Sequence, residues 1–176
     1  GKTTLVNLIL GLYKCDNGQI LINKSPIENY NIQNLRKLYA YMPQERGIFE
    51  GSLLENLLIN NAMVSSDDVI KDLQKKGLAE LLRRFDNNLQ FKVSHDGTNL
   101  SEGQKQILKF LRVALAKCDI VILDEPTNFL DRDAKKIVIQ FIRETLAYSR
   151  IVILITHDKN VEKEMGEIIT KKIYFN

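Results

Sequence analysis

Ile120-Val121-Ile122-Leu123-Asp124-Glu125 decides the fold: four apolar residues, three of them β-branched, run without interruption into two carboxylates. A short run that is apolar on both faces reads as a strand buried on both sides, as in a parallel sheet covered by helices. Its acids emerge at the carboxyl end, the edge where open α/β sheets bind ligands. Upstream, Leu100-Ser101-Glu102-Gly103-Gln104 opens a helix expected over 101–117. Downstream, the pattern predicts a helix over 132–147, a strand over 151–155, a short helix over 159–165 and a final strand pair near 168–175. Towards the start, the nearly continuous apolar residues of 3–12 predict a helix buried on most sides. Asp16-Asn17-Gly18 is a turn signal, followed by a strand over 19–23, a polar stretch to Lys37 and a strand over 38–42 that Pro43 stops. Apolar residues recur at helical spacing over 52–58 and 67–85, with breaks near Asn60 and Gly77, and a polar loop containing Gly97 follows. This helical block reads as an insertion between sheet elements, and the whole as an α/β fold, an open, mostly parallel sheet flanked by helices.

The chain has 176 residues, 44% of them hydrophobic, which is enough for a core. Its net charge of +3 is mild, and the basic pairs Lys75-Lys76, Arg83-Arg84, Lys135-Lys136 and Lys171-Lys172 are mixed with acids. They read as solvated faces, so no nucleic-acid partner is expected. The apolar stretches 8–10 and 151–155 fall far short of the roughly 20 residues that a membrane-spanning helix needs. A membrane role is therefore expected to come through a partner or a further segment. Gly1 is not an initiator Met and no leader pattern follows it, so the sequence reads as a piece of a longer protein. Cys15 and Cys118 lack a CxxC neighbour, and Cys118 falls at the end of an apolar helix pattern, which predicts buried free thiols in a reducing compartment. With only His95 and His157 besides, no metal cage built by protein side chains alone is expected.

Gly1-Lys2-Thr3-Thr4 matches the back half of a phosphate-binding loop, G-x-x-x-x-G-K-[ST]. Such a loop curls backbone N–H groups around phosphate at a helix N-terminus, while a lysine reaches the β and γ oxygens and a hydroxyl takes magnesium. Lys2 and Thr3 supply that lysine and that hydroxyl; the bland alternative is an ordinary helix start. Asp124 is expected to hold magnesium through water, and Glu125, beside the metal but not on it, to act as general base. For this pair the alternative is a solvated acidic turn before Pro126. Ser101 and Gln104 have capping-box spacing, S-x-x-Q. With the close-approach glycine Gly103, that helix N-terminus also suits a γ-phosphate presented by a second molecule. His157 follows the strand over 151–155 on the same sheet edge as Asp124, where an imidazole can stand near a γ-phosphate, and Asp158 is expected to cap the next helix. His95 reads as a solvated loop residue. Gln44, after Pro43 at a strand end, offers an amide that can ligate magnesium.

Taken in order, Gly1-Lys2-Thr3-Thr4, Gln44, Leu100 to Gln104, Asp124-Glu125, Asn128-Phe129-Leu130-Asp131 and His157 resemble the nucleotide-binding domain of ABC transporters nearly end to end. The resemblance implies a P-loop NTPase fold with an inserted helical subdomain. Its catalytic core would be about 1–43 and 118–176, and its Q-loop, helical subdomain and signature helix about 44–117. It implies that Gly1, Lys2, Thr3 and Thr4 belong to Walker A, Gln44 to the Q-loop, Leu100 to Gln104 to the signature, Asp124 and Glu125 to Walker B, Asp131 to the D-loop end and His157 to the switch. The cofactors implied are ATP and magnesium. The partners implied are a second nucleotide-binding domain, head to tail, and a transmembrane domain fused upstream.

The segment from Gln44 to Leu57 looks like the exporter subgroup, which implies an ATPase on the cytoplasmic face of a bacterial cell membrane. The family's opening strands, adenine-stacking aromatic and first half of Walker A are expected before Gly1, so this chain by itself is expected to bind ATP poorly. Three departures stand out: Glu102 replaces a signature glycine, Asn128-Phe129 replace a small pair, and Val93-Ser94-His95-Asp96-Gly97 lacks the Gly-Glu pair of the exporter X-loop. The rival readings are a soluble ABC ATPase acting on DNA or ribosomes, expected to carry a coiled-coil or long basic insert, and a non-catalytic regulatory module. Because Glu102 brings negative charge towards the partner's phosphate, Glu102→Gly is expected to tighten ATP-driven dimerisation. Sedimentation with ATP checks this, and an unchanged dimer affinity counts against it.

Overall fold

The computed structural model describes residues 1–45, 47–59, 65–146, 151–166 and 168–174. The elements run α1 (Lys2–Ile9), β1 (Leu21–Ile22), β2 (Ser25–Pro26), α2 (Ile32–Leu38), β3 (Tyr39–Met42), β4 (Gly51–Ser52), α3 (Leu53–Leu57), α4 (Ser66–Lys75) and β5 (Lys92–Val93). There follow α5 (Glu102–Leu115), β6 (Ile120–Asp124), α6 (Arg132–Phe141), β7 (Ile151–Ile155) and α7 (Lys159–Met165).

The apolar run from Ile120 to Leu123 forms β6, which lies between β3 and β7 in a parallel three-stranded sheet. Tyr39 stands opposite Ile120 and Met42 opposite Leu123. On the other side Ile120 stands opposite Ile151 and Asp124 opposite Ile155. Parallel strands in this register end level with one another, so Pro43-Gln44, Glu125 and Thr156-His157 all leave the sheet along one edge. The helical insertion runs from the end of β3 to α5, and the antiparallel pair β4–β5 draws its flanks together.

Helix α5 joins the insertion to the sheet. Its start is fixed by a capping box, in which Ser101 Oγ accepts from the Gln104 backbone N–H at 3.2 Å and Gln104 Oε1 accepts from the Ser101 N–H at 2.9 Å. Beyond Gly103 it has no helix breaker, and every residue from Gln106 to Leu111 is buried, the polar Gln106 and Lys109 included. Phe110 meets Phe141 of α6 edge to face, with ring centroids 5.8 Å apart. One continuous apolar cluster passes from Leu53, Leu73 and Phe85 through Leu108 and Leu111 to Val121 and Leu123.

A buried amide and a half-buried guanidinium pin the loop ahead of α3 onto this helix. Asn56 Nδ2 donates to the carbonyls of Phe49 at 2.8 Å and Ser52 at 3.1 Å, while its Oδ1 accepts from the Phe49 N–H at 3.0 Å. Arg112 of α5 donates through Nε to the Asn56 carbonyl at 2.7 Å, through Nη2 to Asn56 Oδ1 at 3.1 Å, and through Nη1 to the Gly47 carbonyl. Its guanidinium carbon also lies 5.4 Å from the centroid of the Phe49 ring. Burial pushes the Arg112 pKa down to about 10, which leaves the group charged at neutral pH.

Several expectations are corrected. Helix α1 ends at Ile9, short of residue 12, and among its residues only Val6 is buried, with Leu12 and Tyr13 beyond it exposed. The strand expected over 19–23 shrinks to β1, because Asn23 and Lys24 both take positive φ (50° and 67°) and turn the chain back into β2. The polar stretch before Lys37 contains α2, capped by Asn31 Oδ1 on the Gln33 N–H at 2.9 Å; its polar residues face outward around the buried Leu35. The break expected near Gly77 is present (φ 70°), but the helical spacing beyond it folds as a 3₁₀ turn, Ala79–Phe85, and not as a continuation of α4. The loop after Phe85 contains β5.

The helix expected over 132–147 gives way after Phe141 to a wider π turn, Ile142–Leu146. Among the described residues no strand forms over 168–174. There Ile168 and Ile169 pack against the core and Lys172 Nζ bonds Glu162 at 2.7 Å, so side chains and not a ladder hold the segment. Helix α5 ends at Leu115, so Cys118 does not close it, and Cys15 and Cys118 are half-buried and not fully buried. The break expected near Asn60 lies outside the described residues. Asn56→Ala removes one buried partner and strands the others; it is expected to cost about 2–4 kcal/mol in urea unfolding.

Candidate active site

Asp124 is the last residue of β6 and Glu125 the first beyond it, and the two carboxylates are 6% and 3% exposed. Glu125 takes φ +51°, a left-handed conformation uncommon for a non-glycine residue, and its surroundings hold it there. Its N–H donates to the Ile155 carbonyl at 2.8 Å, continuing the ladder with β7. Its carbonyl accepts from Gln106 Nε2 of α5 at 2.6 Å and from the Asn128 N–H at 3.2 Å. The carboxylate is held as firmly: Oε1 lies 2.6 Å from His157 Nδ1, and Oε2 accepts from Thr156 Oγ1 at 3.3 Å and the His157 N–H at 3.4 Å. A carboxylate at Nδ1 selects the tautomer with its proton on that nitrogen, leaving Nε2 on an imidazole whose side chain is 71% exposed.

Burial, first, and the neighbouring Glu125 charge, second, raise the Asp124 pKa above the ordinary carboxylate range; the charges of Lys2 and Lys109 oppose them. Lys2 thus acts on Asp124 from the first turn of α1. Gly1, Lys2, Thr3 and Thr4 are all exposed. No side chain caps that helix, so its first-turn N–H groups remain open to an anion. Gln44, two residues beyond β3 on the same edge, is exposed, and its carbonyl accepts from Lys109 Nζ at 2.7 Å.

Ser101, Gly103, Gln104 and Asp131 gather elsewhere, around a cavity of about 290 Å³ that Arg84 and Phe129 also line. None of Lys2, Asp124, Glu125 or His157 borders it. A Cβ added at Gly103 would lie 2.9 Å from the Phe129 carbonyl oxygen, so the backbone after Asn128 presses directly on the start of α5. Asp131 accepts from the Ala134 N–H at 2.9 Å, capping α6, and pairs with Arg84, whose carbonyl accepts from Gln104 Nε2 at 2.7 Å. Asp158 caps α7 on the Asn160 N–H at 2.9 Å, with Lys135 as its ion partner. His95 is an exposed loop residue, its side chain 82% open and beside Asp96.

Four residues of these networks do not figure in the motifs, Arg84, Gln106, Lys109 and Arg112, whereas Asn56 lies in the exporter-like segment from Gln44 to Leu57. A signal for three of them is present in the sequence. Gln106, Lys109 and Arg112 repeat every three residues inside Gln106-Ile107-Leu108-Lys109-Phe110-Leu111-Arg112, so they lie along one side of a helix that is otherwise apolar.

The family description "ABC transporter" matches residues 1–128. This chain belongs to the ABC transporter family. A putative export ATP-binding/permease protein of Rickettsia felis is 35% identical over 157 residues, covering 89% of this chain and 27% of the relative. The lactococcin-A transport/processing ATP-binding protein LcnC of Lactococcus lactis is 31% identical over 170 residues, covering 96% of this chain and 23% of the relative. Among solved structures, that of a bacterial Atm1-family ABC exporter with ATP bound matches with a TM-score of 0.82 at 25% identity, over 92% of this chain and 28% of that one. This ABC family chain therefore spans about a quarter of the length of these relatives.

The raised Asp124 pKa makes its ionised form a cost to the nucleotide-free fold. That cost is present above the raised pKa and disappears below the ordinary carboxylate range, where folded and unfolded chains are both protonated. Asp124→Asn is therefore expected to raise the nucleotide-free Tm at pH 7. The gain should fade as the pH is lowered towards ~4 in a melting series.

Proposed function

We propose that the chain is the ATP-binding and ATP-hydrolysing part of an ABC exporter at the cytoplasmic face of a membrane. It would work in a head-to-tail pair with a second such domain and with a membrane-spanning partner. The observation that carries the reading is the buried Glu125 carboxylate, tied to His157 and standing beside Asp124 on the sheet edge that Lys2 also reaches. The export and transport functions in the names of the relatives support it.

Lys2 and the open N–H groups of α1 bind phosphate. Glu125 receives the proton of the attacking water, and its bond to His157 Nδ1 turns Nε2 of that ring outward towards the γ-phosphate. Thr3 Oγ1, the Gln44 amide and the Asp124 carboxylate are hard oxygen donors that suit magnesium, and the unrelieved charge of buried Asp124 fits a cation there. When bound, magnesium neutralises negative charge on the phosphate oxygens. Ser101, Gly103, Gln104 and Asp131 form the complementary half-site that closes over nucleotide held by the second domain. Two half-sites in separate places on one chain are what a head-to-tail pair requires.

Glu125→Gln keeps the shape of the side chain and removes its basicity. In the full chain ATP binding is expected to stay within about threefold, while kcat falls roughly 10²-fold or more. Hydrolysis at an undiminished rate would remove Glu125 from the mechanism.

A further inference from the structure

Lys109 is a buried charge for which the hydrolytic mechanism has no use. It sits in the middle of α5 and is 6% exposed, the kind of position lysine occupies only when its ammonium is paired or hydrogen-bonded. Its Nζ reaches out of the helix to two main-chain oxygens, the Pro43 carbonyl at 3.1 Å and the Gln44 carbonyl at 2.7 Å. Both belong to the turn that leaves β3, and Gln44 itself is exposed. Charge-assisted bonds of this kind are roughly twice as strong as neutral ones. The next contact along the same side of α5 is Arg112 on the Gly47 carbonyl.

We propose that Lys109 is a positioning residue for Gln44: its ammonium ties the carbonyls of Pro43 and Gln44 to α5, so that the Gln44 loop and the Ser101 end of that helix move as one body. Ser101 stands two turns N-terminal to Lys109 on a continuous helix. A displacement of α5 at its Ser101 end is thereby passed to the Gln44 main chain without passing through the sheet. In its functional consequence the inference rests on the ATPase reading; in its structural content it does not.

Two readouts separate these. Glu45 adjoins the clamped carbonyl in an exposed turn, and Glu28 lies in another exposed turn remote in sequence. In the nucleotide-free full chain, a glutamate-specific protease is expected to cut after Glu45 at least fivefold faster in Lys109→Met than in the unsubstituted protein, with the rate after Glu28 unchanged. Lys109→Arg, which keeps a cation with several donors at the same helix position, should bring the Glu45 rate back to within twofold. Equal acceleration at Glu28 would mean general loosening of the fold, and an unchanged rate at Glu45 would mean that the ammonium holds nothing; either overturns the proposal, as does a Lys109→Arg protein that cuts like Lys109→Met.

The second readout is steady-state ATP hydrolysis. In Lys109→Met kcat is expected to fall about tenfold with KM within twofold, because Lys2 and the first turn of α1 are untouched. Faster cutting after Glu45 in a chain whose unsubstituted form does not hydrolyse ATP would leave the clamp standing and refute the ATPase reading. Faster cutting with hydrolysis unaffected would refute the positioning role.

Discussion

Everything in the candidate site depends on β6 pairing in parallel and in register with a strand on each side. That pairing makes three chain segments, distant in sequence, finish at the same height, so that Gln44, Asp124, Glu125 and His157 share one edge. The apolar run that forms β6 also dehydrates its own carboxyl end. The same burial that stabilises the sheet lifts the Asp124 pKa and leaves that end in need of positive charge. Stability and chemistry are opposed at this point, as they are in sites that must receive a charged ligand.

Helix α5 has a second, distinct task. Its apolar residues fuse the inserted block to the sheet, while Gln106, Lys109 and Arg112 deliver donors to main-chain carbonyls at Glu125, at Pro43 and Gln44, and at Gly47 and Asn56. The acceptors at Pro43, Gln44, Gly47 and Glu125 belong to irregular backbone beside the site, and the one at Asn56 to the last turn of the short helix α3. Polar side chains inside an apolar helix thus replace the ladder bonds that the loops lack. Their burial is costly only when considered apart from the carbonyls they satisfy.

The parts of the fold legible in the sequence were those with a strong period or a marked end. β3, β6 and β7 were read from short apolar runs, α5 from its capping box, and α7 from Asp158 and its spacing. The parts that were missed lack a periodic apolar face of their own. Helix α2 buries only Leu35, and β2, β4 and β5 are two residues long and exist through their partners, while β1 is a shortened form of the strand expected over 19–23. The turn at Asn23-Lys24 carries no glycine to announce it. Helix α1 misled in the other direction: its apolar residues suggested deep burial, yet composition says nothing about what lies against a helix. In the site, motif spacing points to the residues that face nucleotide in the proposed mechanism, but not to Arg84, Lys109 and Arg112. Their roles are set by which main-chain oxygens the fold brings within reach, and a linear pattern does not encode that.

The outer side of β7 has a consequence of a different kind. Ile151-Val152-Ile153-Leu154-Ile155 pairs with β6 on one side only among the described residues, and it carries no charge, proline or bulge. Natural sheets usually blunt such a margin with lysine, with a kink or with a covering segment, because unsatisfied main-chain groups beside β-branched side chains recruit other chains. Left uncovered, this strand is a template on which further strands can pair.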